Sequence, residues 1–355
     1  MERRHRNPQY HRFRFDRLHR EMSSQLIKEA KMKRVLVVVG LLMVVWGVSM
    51  GTSTAQAQPY PNRPIQFIIP IPAGGGGDVN ARMLIEELGK IVGVQIVAVN
   101  KPGAADTLGT DATAKSKKDG YTIGYTGSAA LVSARVMNPE NVHYDPIKDF
   151  DHLGLHVYFP LALAVQASSP WKTFGELIDY AKKNPGKIRV STIGVGGMSH
   201  LNVELIQSLI GAQLTHIPFK GGEAVTAALL GGHVEASADA IGKFMPHVDA
   251  GKLRVLVLSR KFSLLPNVPT MKELGYKEDM FSSWFSLTAP AGIPEEAKKV
   301  LIPAVEKSIN HPELKTKIEN RGYIVDYKSP AELRKIIAND YETIRALATR
   351  LGLAK

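Results

Sequence analysis

Four loops of this sequence are rich in glycine and hydroxyl side chains. They are Ala73-Gly74-Gly75-Gly76-Gly77-Asp78, Thr126-Gly127-Ser128, Gly194-Val195-Gly196-Gly197-Met198-Ser199-His200 and Phe219-Lys220-Gly221-Gly222. Glycine leaves peptide N–H groups unshielded and admits backbone angles that other residues avoid. Each loop follows a strand-like run and opens a helix-like one. A helix N-terminus carries orphan donors and the positive end of the dipole. The chemistry on offer is therefore capture of an anion by neutral donors. Asp78 either caps its helix or meets the ligand. One such loop alone reads as a tight turn. Four of them read as one shared site, because ligands of open α/β sheets lie beyond the carboxyl ends of the strands.

Covalent and redox chemistry does not find its residues. The chain has no cysteine, which excludes disulfides, thiolate metal sites and cysteine nucleophiles. Gly194-x-Gly196-x-x-Ser199 comes near a dinucleotide fingerprint. However, the next strand, Leu214-Thr215-His216-Ile217, ends without the acid that would hold a ribose. The first loop lacks the Gly-Lys-Ser/Thr of a P-loop, and neither G-x-S-x-G nor H-E-x-x-H occurs. Ser199 and His200 are adjacent and so point apart on a helix. His200 is read as a polar residue beside the site, with packing or ligand contact as its role. The other seven histidines after residue 57 are read as structural or exposed. No enzyme activity, metal or cofactor is expected.

The elements that must position these loops alternate strand and helix. Strand-like runs cover 65–71, 94–99, 121–126, 161–165, 187–193, 214–217, 253–258 and 323–327. Helical periodicity covers 78–92, 107–117, 199–210, 223–230, 294–310 and 312–320. Thr173-x-x-Glu176 and Ser329-Pro330-Ala331-Glu332 open two further helices as N-cap signals, the last running to about Leu351. Such alternation predicts an α/β protein with mostly parallel sheets.

The N-terminus is read as separate from the fold. Met32-Lys33-Arg34, the apolar run 35–50 and Ala55-Gln56-Ala57 follow the order of a secretory signal peptide. The run of about 16 residues is short for a spanning helix, which needs roughly 20. Cleavage after Ala57 is expected, over an uncleaved anchor. Residues 1–31 are a basic extension, read as lying upstream of a true start at Met22 or Met32. The whole chain of 355 residues carries a net charge of +12. Residues 1–57 hold 11 basic and 4 acidic side chains, which leaves 34 and 29 in the rest. That remainder is mild and has no basic run with interleaved aromatics, so no nucleic-acid partner is expected.

A series of motifs then carries a family resemblance. It includes Ile69-Pro70-x-x-Ala73-Gly74-Gly75-Gly76-x-Asp78, Asn100-Lys101-Pro102-Gly103-Ala104 and Asp119-Gly120-Tyr121-Thr122. It continues with Tyr144-Asp145-Pro146-x-x-Asp149-Phe150, His216-x-Pro218-Phe219-Lys220-Gly221, Pro266-x-Val268-Pro269-Thr270 and Ala289-Pro290-Ala291-Gly292. In this order they resemble the periplasmic solute-binding receptors of tripartite tricarboxylate transporters, the Bug receptors. The resemblance covers nearly all of the chain after residue 57. It implies a two-domain clamshell, each domain a mostly parallel sheet flanked by helices. Domain one would be 58–158 plus 282–355, and domain two 159–281, with crossings near Phe159-Pro160 and Ser283-Trp284. It implies that a small organic carboxylate is held in the cleft, mainly by backbone donors of the first two loops. The third loop and the segment around Asp239 would close over it. Membrane transporter subunits would be the partners of a periplasmic monomer. Val195 and Phe219 stand where many relatives carry Asn and Tyr, and Ala105-Asp106-Thr107 replaces a glycine-rich continuation. Two other readings are a periplasmic sensor for a signalling partner and a secreted dinucleotide-dependent oxidoreductase.

Overall fold

The computed structural model describes residues 31–32, 35–40, 59–350 and 352–354. Contacts divide the chain into Met1–Gln58 and Pro59–Lys355. In the first unit, 31–32 and 35–40 are helical, and the side chains there are exposed. The cleavage position after Ala57 lies outside the described residues. Among the described residues, no helix is long and apolar enough to cross a membrane.

The second unit holds two sheets. The first is built from β1 (Ile65–Ile69), β2 (Ile96–Asn100), β3 (Thr122–Gly127), β4 (Phe150–Phe159), β10 (Ser283–Pro290) and β11 (Ile324–Lys328). Their order is β11-β4-β10-β3-β1-β2. The second is built from β5 (Leu161–Gln166), β6 (Arg189–Ile193), β7 (Thr215–Phe219), β8 (Ala236–Ala240) and β9 (Leu253–Leu258), in the order β7-β6-β8-β5-β9. Helices α1 (Gly76–Val92), α2 (Thr107–Ala114), α3 (Ala134–Met137), α8 (Glu295–Ile309), α9 (Pro312–Glu319) and α10 (Pro330–Arg350) lie before β4 or after β10 in the chain. Helices α4 (Phe174–Lys183), α5 (Met198–Ile210), α6 (Gly222–Leu230) and α7 (Ile241–Asp249) connect the strands of the second sheet.

The α/β alternation and the two-domain architecture are both present. The pairing is more mixed than expected. β1 pairs in parallel with β2 and β3, and β6 with β7 and β8. In contrast, β10 runs antiparallel to β3 and β4, and β5 antiparallel to β8 and β9. The reason is connectivity. β5 is the strand that enters the second sheet straight from β4 across Pro160, and β10 is the strand that returns. Their starts therefore lie beside the ends of the parallel strands.

Each sheet has its own core. Phe67, Ile69, Leu84, Leu88, Tyr125, Leu287 and Leu301 fill the first, and Leu163, Phe174, Leu177, Val190, Val203 and Ile206 the second. A third cluster joins the halves. Leu201 and Leu205 of α5 sit with Leu131, Trp284, Leu333, Ile337 and Ile344. Each of these two leucines is at most 2% exposed, and such burial contributes roughly 2 kcal/mol.

Candidate functional site

Both sheets turn their carboxyl ends toward one cleft. A cavity of about 350 Å³ opens there. β3 brings Gly127 to it, β4 Phe159, β6 Ile193, and β8 Asp239 and Ala240. The antiparallel strands bring their first residues, Leu161 from β5 and Ser283, Trp284 and Phe285 from β10. The mixed pairing noted above is what places strand starts and strand ends on the same wall.

Two helical N-termini face the cavity. β3 runs straight into a π-helix at Ala129–Ser133, preceded by Ser128. Single turns of π-helix are rare and concentrate at functional sites. The Ser128 hydroxyl accepts the Trp284 N–H at 3.3 Å, which leaves its own proton to donate. Helix α5 begins at Met198 after the extended Gly197. The N–H groups of its first turn have no acceptor within the helix, and Met198 and Ser199 of that turn line the cavity. The hydroxyls of Ser199 and Ser283 also line it. These neutral donors are the chemistry that glycine and serine were expected to supply.

The sequence-derived residues divide into four groups. Gly127, Ser128, Gly197, Ser199 and Asp239 line the cavity. Val195 and Gly196 line an adjoining pocket of about 200 Å³, which shares Ser128, Gly197 and Ser283 with it. Gly76 and Gly77 line a groove of about 620 Å³ that shares Phe159, Ala240 and Lys243. Ala73, Gly74, Gly75, Asp78, Thr126, Gly194, His200, Phe219, Lys220 and Gly221 line none of these three cavities.

Local bonding accounts for several of the last group. Asp78 does not cap α1; Gly75 occupies that position. One turn in, the Asp78 carboxylate accepts from Gly74 N–H (2.9 Å), Arg82 Nε (2.9 Å) and Asn100 Nδ2 (2.8 Å). Burial works against its charge, but these bonds outweigh burial and hold the carboxyl below its ordinary value. Asp78 thus ties the first loop to β2. In the third loop, Gly194 N–H is spent on Phe219 O (2.9 Å) and Gly196 N–H on His200 Nδ1 (2.9 Å). His200 stacks on His216 with ring centroids 3.9 Å apart. The two rings thus brace the loop from behind. Burial, then the neighbouring His200, lowers the His216 pKa to about 4. Thr126 is buried in the sheet, where its hydroxyl meets Ser286 Oγ at 3.2 Å.

Two charged residues were not foreseen at the site, Lys243 and Asp106. Lys243 lies 3.5 Å from Asp239 Oδ2, one turn along from it. Burial raises the Asp239 pKa, and Lys243 opposes that. A Cβ on Gly222 would overlap the Lys243 ammonium, so glycine there lets the lysine take this position. The spacing Asp239-x-x-x-Lys243 was a readable signal for this pair. Asp106 ends a run of three non-glycine residues with left-handed φ: Ala104 at 47°, Ala105 at 52° and Asp106 at 70°. Its backbone occupies the N-cap position of α2, yet its carboxylate makes no capping bond. Burial pushes its pKa up to about 6. No sequence signal marks that geometry, because Ala-Ala-Asp contains no glycine.

The fold and cleft are those of a two-domain periplasmic solute-binding protein. Residues 80–353 match the model of the tripartite tricarboxylate transporter family receptor. The chain belongs to that family. It is 33% identical over 323 residues to the protein BugT of Bordetella pertussis, covering 90% of this chain and 98% of BugT. It is also similar to a Rhodopseudomonas palustris protein solved with adipate, at 26% identity and a TM-score of 0.70, covering 83% of this chain and 99% of that one. A third likeness is to MatC of Rhodopseudomonas palustris with bound malate, at 26% identity and a TM-score of 0.66, covering 81% and 99% of the two chains.

Proposed function

We propose that this protein captures a small organic carboxylate in the cleft between its sheets and delivers it to a tripartite tricarboxylate-type membrane transporter. The observation that carries the reading is the lining of the cleft. The first turn of α5, Ser128, Ser199 and Ser283 offer uncharged donors at the carboxyl ends of both sheets. Relatives of the same fold are described with adipate and malate. Neutral donors bind an anion without the deep well of an ion pair, which suits a carrier that must release its cargo. The domains of this clamshell would be 58–158 with 282–355, and 159–281; the membership of the strands in the two sheets supports that division. Export with cleavage after Ala57 would deliver a monomeric binding protein to the periplasm, with no catalytic step.

Thermal denaturation against a panel of mono-, di- and tricarboxylates tests the reading. A ligand at about 100 times its Kd stabilises by roughly 2.7 kcal/mol. Absence of any shift across organic acids, amino acids and aromatic carboxylates would sink it. Loss of uptake of the identified ligand in a deletion strain tests delivery, and unchanged uptake with a lost transcriptional response would favour a sensor.

A further inference from the structure

The cavity contains one acid with no counter-charge. Asp239 has Lys243 at 3.5 Å. Asp106 lines the same cavity, and no described residue donates a hydrogen bond or pairs an ionic charge to its carboxylate. An aspartate at an N-cap position ordinarily accepts the N–H of the second or third helical residue. The left-handed backbone at Asp106 denies it that bond. Three consecutive non-glycine residues in this region persist only where the surroundings impose them. Thr107 and Thr110 help to impose them: Thr107 Oγ1 donates to Ala104 O at 2.7 Å and Thr110 Oγ1 to Asp106 O at 2.9 Å. The turn therefore holds a carboxylate at the cavity, away from its usual local partner.

An uncompensated acid and a bare carboxylate ligand repel each other in one cavity of about 350 Å³. A ligand carrying its own donor removes the conflict. Resting on the proposed function, we infer that the solute is a carboxylate that also bears a protonated amine, with its carboxylate at the N-terminus of α5 and its ammonium at Asp106. Asp106 is then the residue that selects zwitterions over plain acids. The apolar walls, Phe159, Leu161, Ile193 and Phe285, take the carbon skeleton between the two ends. Lys243 answers Asp239, so Asp106 is the charged group left at the cavity for a cationic end.

Calorimetric titration at pH 7.5 tests this with paired probes of equal skeleton. Each pair is an amino-carboxylic acid and its des-amino analogue, taken with two to six carbons between the ends and with one or two carboxylates. The wild type is expected to bind at least one amino member 10-fold or more tighter than its partner. Asp106→Asn tolerates left-handed φ and keeps the size; it should reduce that ratio to about 1. Asp106→Gly, which fits the same backbone, should do the same, and unliganded melting of both variants should stay near wild type. A wild-type ratio near 1 overturns the inference. So does a ratio that survives both substitutions. If des-amino acids bind well, the proposed function stands and the inference alone falls. If no probe of either kind binds, the inference falls, and the proposed function falls with it when the wider thermal panel also shows no shift.

Discussion

Acid should unfold this protein through histidines that the fold keeps neutral. His156 is the clearest case. It lies on β4, fully buried, with Tyr125 Oη 3.0 Å from its Nδ1 and no partner for Nε2. Burial lowers its pKa to about 3. An unfolded chain offers the same side chain at about 6.5. The folded pKa is thus the lower one. Its contribution to stability is whole above pH 6.5 and is lost as pH falls from there toward 3. At pH 5.0 the unfolded histidine is almost fully protonated and the folded one is not, so the loss relative to pH 7.5 is about 2 kcal/mol. Urea titrations followed by circular dichroism, with a common slope, give the free energy at each pH. His156→Asn keeps an acceptor for the Tyr125 hydroxyl and cannot titrate. It should cost some stability at pH 7.5 through the smaller side chain, yet lose about 2 kcal/mol less between pH 7.5 and 5.0. Parallel pH curves for wild type and variant would refute the reasoning.

Other changes test other parts of the structure. His152, whose pKa burial lowers to about 4, should add a further pH-dependent loss of similar sign, read from the same titrations with His152→Asn. Asn202→Ala removes the bonds to Phe281 O (2.9 Å) and from Phe281 N–H (2.7 Å), and should destabilise by about 1–3 kcal/mol in the same urea assay. Trp284→Phe removes the 2.9 Å bond from Nε1 to the half-buried Asp340, which keeps Asn339 and Arg260 beside it; about 1 kcal/mol of stability and a change in ligand affinity are expected together. Gly222→Ala should displace Lys243 and lower ligand affinity measured by calorimetry, with a melting temperature close to wild type if only the lysine moves.

Much of the fold was legible because its cores are apolar and periodic. Residues 253–258 read as a strand and form β9, and the Thr173 cap accepts the Glu176 N–H at 3.2 Å as its motif requires. Three strands stayed hidden, two of them at the crossing. β4 reads FDHLGLHVYF, and its two histidines obscure it. They can be buried because His152 finds Pro146 O and His156 finds Tyr125 Oη, partners that only the fold supplies. β8 is ASADA, small residues with no β-branching, yet it sits between β6 and β5 in the second sheet. β10 ends in proline, which the antiparallel edge of its last pair, Pro290 with Phe150, accommodates. At the site, parts of three of the four glycine-rich loops line the cavities of the cleft, and Phe219, Lys220 and Gly221 do not. Which of their N–H groups remain free was not readable, since His200 consumes that of Gly196 across four residues. Asp106 escaped because its left-handed turn is imposed by threonine hydroxyls and not by glycine.

The donors at α5 are held by both halves of the molecule. In the chain, α5 belongs to the second sheet, between β6 and β7. In space, Leu201 and Leu205 are buried among Leu131, Trp284, Leu333 and Ile337. Asn202 bonds both to and from Phe281, just before β10. The same first turn that meets the cavity is therefore clamped against residues around Ser128, from the opposite sheet. Clamping fixes the direction of its N–H groups before a ligand arrives, and a preorganised dipole need not pay ordering entropy on binding. By contrast, Lys243 and Asp239 reach the cavity from β8 and α7, whose residues take no part in that shared cluster. The cleft thus has one wall packed into the cluster that both sheets share, and one that carries the Lys243–Asp239 pair and packs Ile241 and Phe244 against Ala162, Leu229 and Leu253.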